Sequence, residues 1–152
     1  MRLILAPMWL SLAVLGAACV QTSTGSRSFD GSDRSSTDPA DAEKRASVRL
    51  ELAGGYYSRG QFDTALDQIK LALVAKPDFG AAYNMRGLIY GAMGEERLAD
   101  ESFERALALN PRDADAMHNR AWFHCQRGRY DEADRLFEQA LVQPQYRDPV
   151  RS

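Results

Sequence analysis

Histidine and cysteine are scarce in this chain, two of each in 152 residues. Their order, Cys19, His118, His124 and Cys125, fits no zinc-finger spacing, and a dedicated zinc site would have to borrow carboxylates. His118 and Cys125 lie seven apart on one predicted helix face, and two turns separate them by about 10 Å, too far for a thiol–imidazole pair. The sequence also lacks G-x-x-x-x-G-K-[ST], G-x-G-x-x-G, H-E-x-x-H and G-x-S-x-G, so the usual nucleotide, metalloprotease and hydrolase signals are missing. Charge of one sign is missing too: 19 Lys+Arg stand against 21 Asp+Glu, a net charge of -2. Such a balance provides no steering field for nucleic acid. These absences point away from an enzyme and towards a protein-binding module with no metal and no cofactor. The length suits one domain with a modest core.

What is present falls into three unlike segments. The first, residues 1–18 with Cys19 and Val20 behind it, has a single basic residue, Arg2, then no charge from Leu3 to Val20, with small residues gathered at the far end. That is the layout of a bacterial export signal. An uncleaved membrane anchor is the rival, because 18 helical residues at about 1.5 Å each just span a core of roughly 27–30 Å. Pro7 and the Gly16-Ala17-Ala18 ending favour cleavage. The run Val14-Leu15-Gly16-Ala17-Ala18-Cys19 resembles a lipobox, which implies lipidation of Cys19 after cleavage before it. The Leu stands four rather than three places before the Cys, so cleavage without lipid, or a disulfide at Cys19, remains an alternative. Several acyl chains, at about 0.8 kcal/mol per buried CH₂, would make attachment permanent. With Val20 and not Asp after the Cys, the resemblance implies the periplasmic face of the outer membrane.

Residues 19–40 form the second segment. Over 21–40, fifteen of 20 residues are Ser, Thr, Gly, Asp or Pro, and Phe29 is the one large apolar residue. Such a stretch cannot bury enough surface to offset its ordering entropy, so a disordered linker is expected.

From residue 41 to 152 the chain repeats. Gly60, Gly94 and Gly128 fall 34 apart, as do Ala65, Ala99 and Ala133, Ile69, Phe103 and Phe137, Ala72, Ala106 and Ala140, and Leu73, Leu107 and Leu141. Tyr56, Tyr90 and His124 keep the register, with Ala53, Gly87 and Ala121 three places before them. Pro77 and Pro111 close two units, and Pro144 comes one place early in the third. Spacings of three and four put each unit's columns on one helical stripe, with the glycines at turns that need a left-handed residue. The spacing predicts helices near 41–58, 61–76, 78–93, 95–109, 112–127 and 129–142.

A 34-residue period with these columns resembles the tetratricopeptide repeat. The resemblance implies an all-α superhelix of three helix–turn–helix units, about 46–79, 80–113 and 114–147, stacked so that each covers its neighbour's apolar face. It also implies a concave groove lined by the first helices, with a partner-binding set of Leu50, Gly54, Tyr57, Asn84, Leu88, His118, Asn119 and Trp122, flanked by Met85 and Gln126. Met85, Leu88 and Trp122 also suit simple packing between units. No basic clamp for a terminal carboxylate is present, so an amphipathic or extended protein segment is the expected occupant. Gly54-Gly55 inside a predicted helix costs about 1 kcal/mol per Gly. It marks a close backbone approach, a local irregularity or a ligand contact.

The third unit narrows the resemblance. Asn119, Trp122-Phe123, Cys125-Gln126, Gly128-Arg129 and the segment Pro144-x-Tyr146-x-x-Pro149 are similar to those of the type IV pilus biogenesis and stability lipoproteins, the pilotins of the pilus secretin. That resemblance implies a non-enzymatic outer-membrane lipoprotein that binds a segment of the secretin subunit and supports its localisation and assembly, for pilus biogenesis and twitching motility. The chain departs from it at His118, Arg120 and Ala121, where Asn, Tyr and Gly are usual, and family arrays run to roughly twice this number of repeats. The alternative is a generic envelope adaptor that recruits peptidoglycan enzymes or proteases through the same groove.

Overall fold

The computed structural model describes residues 38–147. The export signal, Cys19, the linker as far as residue 37 and Pro149 lie outside the described residues. Seven helices follow in order: α1 (Pro39–Tyr57), α2 (Phe62–Ala75), α3 (Gly80–Met93), α4 (Glu96–Leu109), α5 (Ala114–Cys125), α6 (Tyr130–Leu141) and the short α7 (Pro144–Arg147). No strand occurs among the described residues.

The first six are the helices the spacing predicts, with bounds that agree to within two residues. α1 begins at Pro39 and not at 41, because the Asp38 carboxylate accepts a hydrogen bond from Ala40 N at 3.0 Å and Pro39 occupies the first helical position. α7 was not expected. It places Tyr146 Oη 2.8 Å from His118 Nδ1, so the Pro-x-Tyr segment packs back onto the third unit.

Each turn glycine adopts the left-handed conformation, with φ of 71°, 81° and 73° at Gly60, Gly94 and Gly128. An L side chain there would be strained, which explains the strict 34-residue recurrence. The alanine columns are the helix–helix contacts. Ala65, Ala72, Ala99, Ala106 and Ala140 are fully enclosed, and Ala133 nearly so. Gly87 takes this economy of size furthest: a Cβ there would lie 2.6 Å from Phe103 Cε1. The Phe103 ring is fully buried and tilts against Phe123 with centroids 5.6 Å apart, joining the second and third units.

Helices pair α1–α2, α3–α4 and α5–α6, and α2 and α4 each touch the following unit's first helix. The first helices α1, α3 and α5 also touch in series, whereas α2 and α4 do not touch. Contact along one edge and separation along the other curves the array, with α1, α3 and α5 on the inner side.

The departures at His118, Arg120 and Ala121 each have a partner in this fold. His118 packs edge-on against Phe137, with ring centroids 5.3 Å apart. Ala121 is fully buried. Arg120 reaches back to α4, its Nη2 2.9 Å from Asp100 Oδ1 and 2.8 Å from Glu104 Oε1. Asp100 also lies 3.4 Å from Arg129 Nη1 and 3.5 Å from His124 Nε2, so one carboxylate ties three residues of the third unit to the second.

His124, the third member of the Tyr56–Tyr90 column, is 4% exposed. Burial above all, then the positive charge of Arg129 and, more weakly, of Arg120, lowers its pKa, against the opposing pull of Asp100 and Glu132. The unfolded imidazole takes a proton near 6.5 and the folded one only at lower pH. The unfolded state therefore binds more protons in that window, and stability falls as pH drops below about 6.5. Melting temperatures at roughly pH 7.5 and 5.5 should show a larger drop for the natural chain than for His124→Phe. An equal drop would show that His124 does not carry the effect.

Candidate protein-binding groove

The inner face gathers part of the expected set into one place. Tyr57, Leu88, Asn119, Trp122 and Gln126 line a small open cavity of about 150 Å³, together with Gly87, Gly91, Ala92, Phe103 and Phe123. It draws on α1, α3 and α5, with α4 contributing the Phe103 ring at its base. Gly91 helps to make the space, since a Cβ there would press on Phe123 at 3.2 Å. Trp122 is 54% exposed, although its neighbours Ala121 and Phe123 are buried. A large aromatic ring left that open on the inner face is not filling the junction between units.

Beside the cavity, Asn119 Nδ2 donates to Asn84 Oδ1 at 3.2 Å. Both amides are half-buried. The pair satisfies one donor and one acceptor of each other and leaves the Asn84 amide hydrogens and the Asn119 carbonyl to a ligand. That is the complement of a peptide unit, which carries one acceptor and one donor.

The remaining members lie apart from the cavity. Leu50 and Met85 pack against the cluster formed by Ala46, Ala53, Ala65, Ile69, Ala72, Ala82 and Ile89. His118 is engaged by Tyr146 and Phe137. At Gly54-Gly55, close backbone approach and local irregularity are both corrected. α1 runs through the pair unbroken to Tyr57, and a Cβ on Gly54 would meet only Met85 Cε at 3.8 Å, ordinary contact. Packing does not require either glycine. Cys125 is half-buried, with a free thiol.

Sequence reasoning missed Phe103, Gly91 and Phe123 as cavity walls. Phe103 stood out only as a core column, and nothing in a period marks a core ring that also floors a groove. It missed as well Arg127, whose guanidinium lies 4.1 Å over the Phe123 ring while Nη2 donates to Gly91 O at 3.2 Å, holding the cavity wall in position. Among the described residues no group of His, Cys, Asp and Glu could hold a metal, and no helix is long and apolar enough to cross a membrane.

Residues 80–113 and residues 102–135 each match a family model described as tetratricopeptide repeat. The chain is 32% identical over 90 residues to the type IV pilus assembly protein PilF of Pseudomonas aeruginosa, covering 59% of this chain and 36% of that one. It is 31% identical over 96 residues to the photosystem I assembly protein Ycf3 of Prochlorococcus marinus, covering 61% and 56%. The chain thus spans little more than half the length of these relatives, or less. Among solved structures, that of Pseudomonas aeruginosa PilF matches with a TM-score of 0.67 at 27% identity, covering 69% of this chain and 47% of that one. PilW, described as a widely conserved type IV pilus biogenesis factor, matches with a TM-score of 0.63 at 30% identity, covering 68% and 48%. The fold is a tetratricopeptide-repeat array, typically a scaffold for protein interaction, and the chain is related at low identity to type IV pilus assembly proteins.

Proposed function

We propose that this chain is an outer-membrane lipoprotein, anchored through Cys19, that holds an amphipathic or extended segment of the type IV pilus secretin in its inner groove and supports the assembly of that secretin. The observation that carries the binding part is the open cavity of Tyr57, Leu88, Asn119 and Trp122 beside the Asn84–Asn119 amide pair. An apolar side chain of the segment enters the cavity, and the amide pair receives its backbone. The relation to pilus assembly proteins supports the choice of partner, and the lipobox-like run ending at Cys19 supports the anchor. The photosystem I assembly relative favours a second reading, an adaptor that supports the assembly of a different protein complex.

Deletion of the gene, complemented with the natural chain or with Cys19→Ser, separates these readings. Loss of secretin multimers and of twitching motility, restored by the natural chain, is the expected outcome. Cys19→Ser should leave the membrane fraction, take up no fatty acid label and restore secretin multimers poorly. Normal multimers in the deletion strain would rule out the secretin as partner.

A further inference from the structure

Arg86 and Arg120 are equivalent, 34 residues apart, and each stands on a first helix that touches the second helix of the preceding unit. At the later junction Asp100 and Glu104 of α4 receive Arg120 Nη2, at 2.9 and 2.8 Å. At the earlier junction the same two places, 34 residues before, hold Leu66 and Lys70 of α2. Arg86 is thus set against an aliphatic chain and a like charge. It turns to its own unit instead. Its Nε donates to Ser102 Oγ at 3.0 Å, and the guanidinium lies 4.7 Å over the Tyr83 ring. Among the described residues no ion pair includes Arg86 or Lys70.

An open cleft of about 430 Å³ remains between α2 and α3, lined by Leu66, Lys70, Leu73, Val74, Arg86 and Tyr90. It lies on a different face of α3 from Gly87, Leu88 and Gly91 of the inner cavity. Ring contact takes one face of the Arg86 guanidinium and Ser102 takes the Nε hydrogen, so the Nη hydrogens at its edge are left to a ligand. Lys70 is exposed, and Val74 is 74% exposed beside it. Asp67 also borders the cleft. It stands in the column of Glu101, which pairs with Arg97 on its own helix and not with Arg120.

We infer that this cleft is a second protein-binding site, and that its occupant is an acidic and apolar segment of a partner protein. An Asp or Glu side chain of the segment lies between Arg86 and Lys70, and an adjoining apolar side chain covers Leu73, Val74 and Tyr90. The charge is complementary, and a carboxylate placed there separates two like charges. The next junction shows the same arrangement built internally: this arginine column takes carboxylates, supplied there by α4 and here from outside. The inference is independent of the inner groove and of the partner proposed for it.

Displayed random peptides of about twelve residues test it. The library is depleted on the Lys70→Glu full chain in detergent micelles, then selected on the natural full chain in the same micelles. Lys70→Glu restores at this junction the acid that Glu104 supplies at the next, giving Arg86 an internal partner. Depletion therefore removes peptides that bind elsewhere, the inner groove included. The selected peptides should carry an Asp or Glu beside an apolar residue. By fluorescence polarisation, a selected peptide should bind Arg86→Gln at least about tenfold more weakly than the natural chain, with helical circular dichroism unchanged. Replacing the peptide's own acid by its amide should weaken it as much, and raising salt from roughly 0.1 to 0.5 M should weaken it too. Tyr57→Ala/Trp122→Ala should bind it as the natural chain does, so the fate of the secretin reading is read separately. No enrichment after depletion, selected peptides without an acid, or equal affinity for Arg86→Gln would each overturn the inference. So would displacement by inorganic phosphate at constant ionic strength, the mark of a simple anion site. Self-association of the natural chain that Arg86→Gln abolishes would place a second copy in the cleft and overturn it as well.

Discussion

Phe103→Ala should lower the unfolding free energy by about 3–5 kcal/mol, the range for deleting a fully buried aromatic ring. Phe103 is 0% exposed, fits against Gly87 and tilts against Phe123, so its loss opens the junction between the second and third units as well as the α3–α4 pair. A domain of this size has about 5–15 kcal/mol in all, so the change removes much of its margin. Gly87→Ala attacks the same contact from the other side. Alanine is the better helix former by about 1 kcal/mol. Its methyl carbon would nevertheless sit 2.6 Å from a ring atom that cannot move away, and overpacking of about 1–3 kcal/mol outweighs the gain. In the double variant Gly87→Ala with Phe103→Leu, the smaller side chain makes room, and the two changes should cost less than their sum by about 0.5–3 kcal/mol. Urea denaturation of the four proteins gives this coupling, and strict additivity would show that the two residues do not press on each other.

The helices, their turns and the small-residue columns were legible in the sequence because each follows from local spacing. Ala65, Ala72 and their equivalents recur where helices touch, and Gly60, Gly94 and Gly128 recur where φ must be positive. The groove was legible in part. Repeat register placed Tyr57, Leu88, Asn119 and Trp122 on the inner face, but it put Leu50, Met85 and His118 there as well. Register says which way a position points, not whether a neighbour already occupies the space beside it. Leu50 and Met85 are taken up by the first cluster, and His118 by Tyr146 from the unexpected α7. Non-repeating contacts had no signal at all. The carboxylate of Asp100 between Arg120, Arg129 and His124 joins residues that share no column. The differences from usual family residues at 118 and 120 were visible, but their partners were not.

Trp122→Ala together with Tyr57→Ala should produce the largest change in partner binding. Both rings line the cavity, Trp122 from α5 and Tyr57 from α1, and a segment lying across the inner face meets both. Central aromatic anchors commonly contribute about 1–3 kcal/mol each on truncation, or roughly 5–150-fold in Kd. Trp122 is exposed and Tyr57 half-buried beside Phe62, so the fold should survive their removal far better than that of Phe103. No charged side chain lines the cavity. Affinity should accordingly change little with salt, because screening acts on charge pairs and not on buried apolar contacts.

The most direct test is a calorimetric titration of a soluble secretin segment into this protein and into the Tyr57→Ala/Trp122→Ala variant, at roughly 0.1 and 0.5 M salt. The groove account predicts saturable binding by the natural chain, at least about tenfold weaker binding by the variant, helical content unchanged, and nearly equal affinity at both salt concentrations. Full affinity in the variant, or a steep fall in affinity with salt, would contradict it.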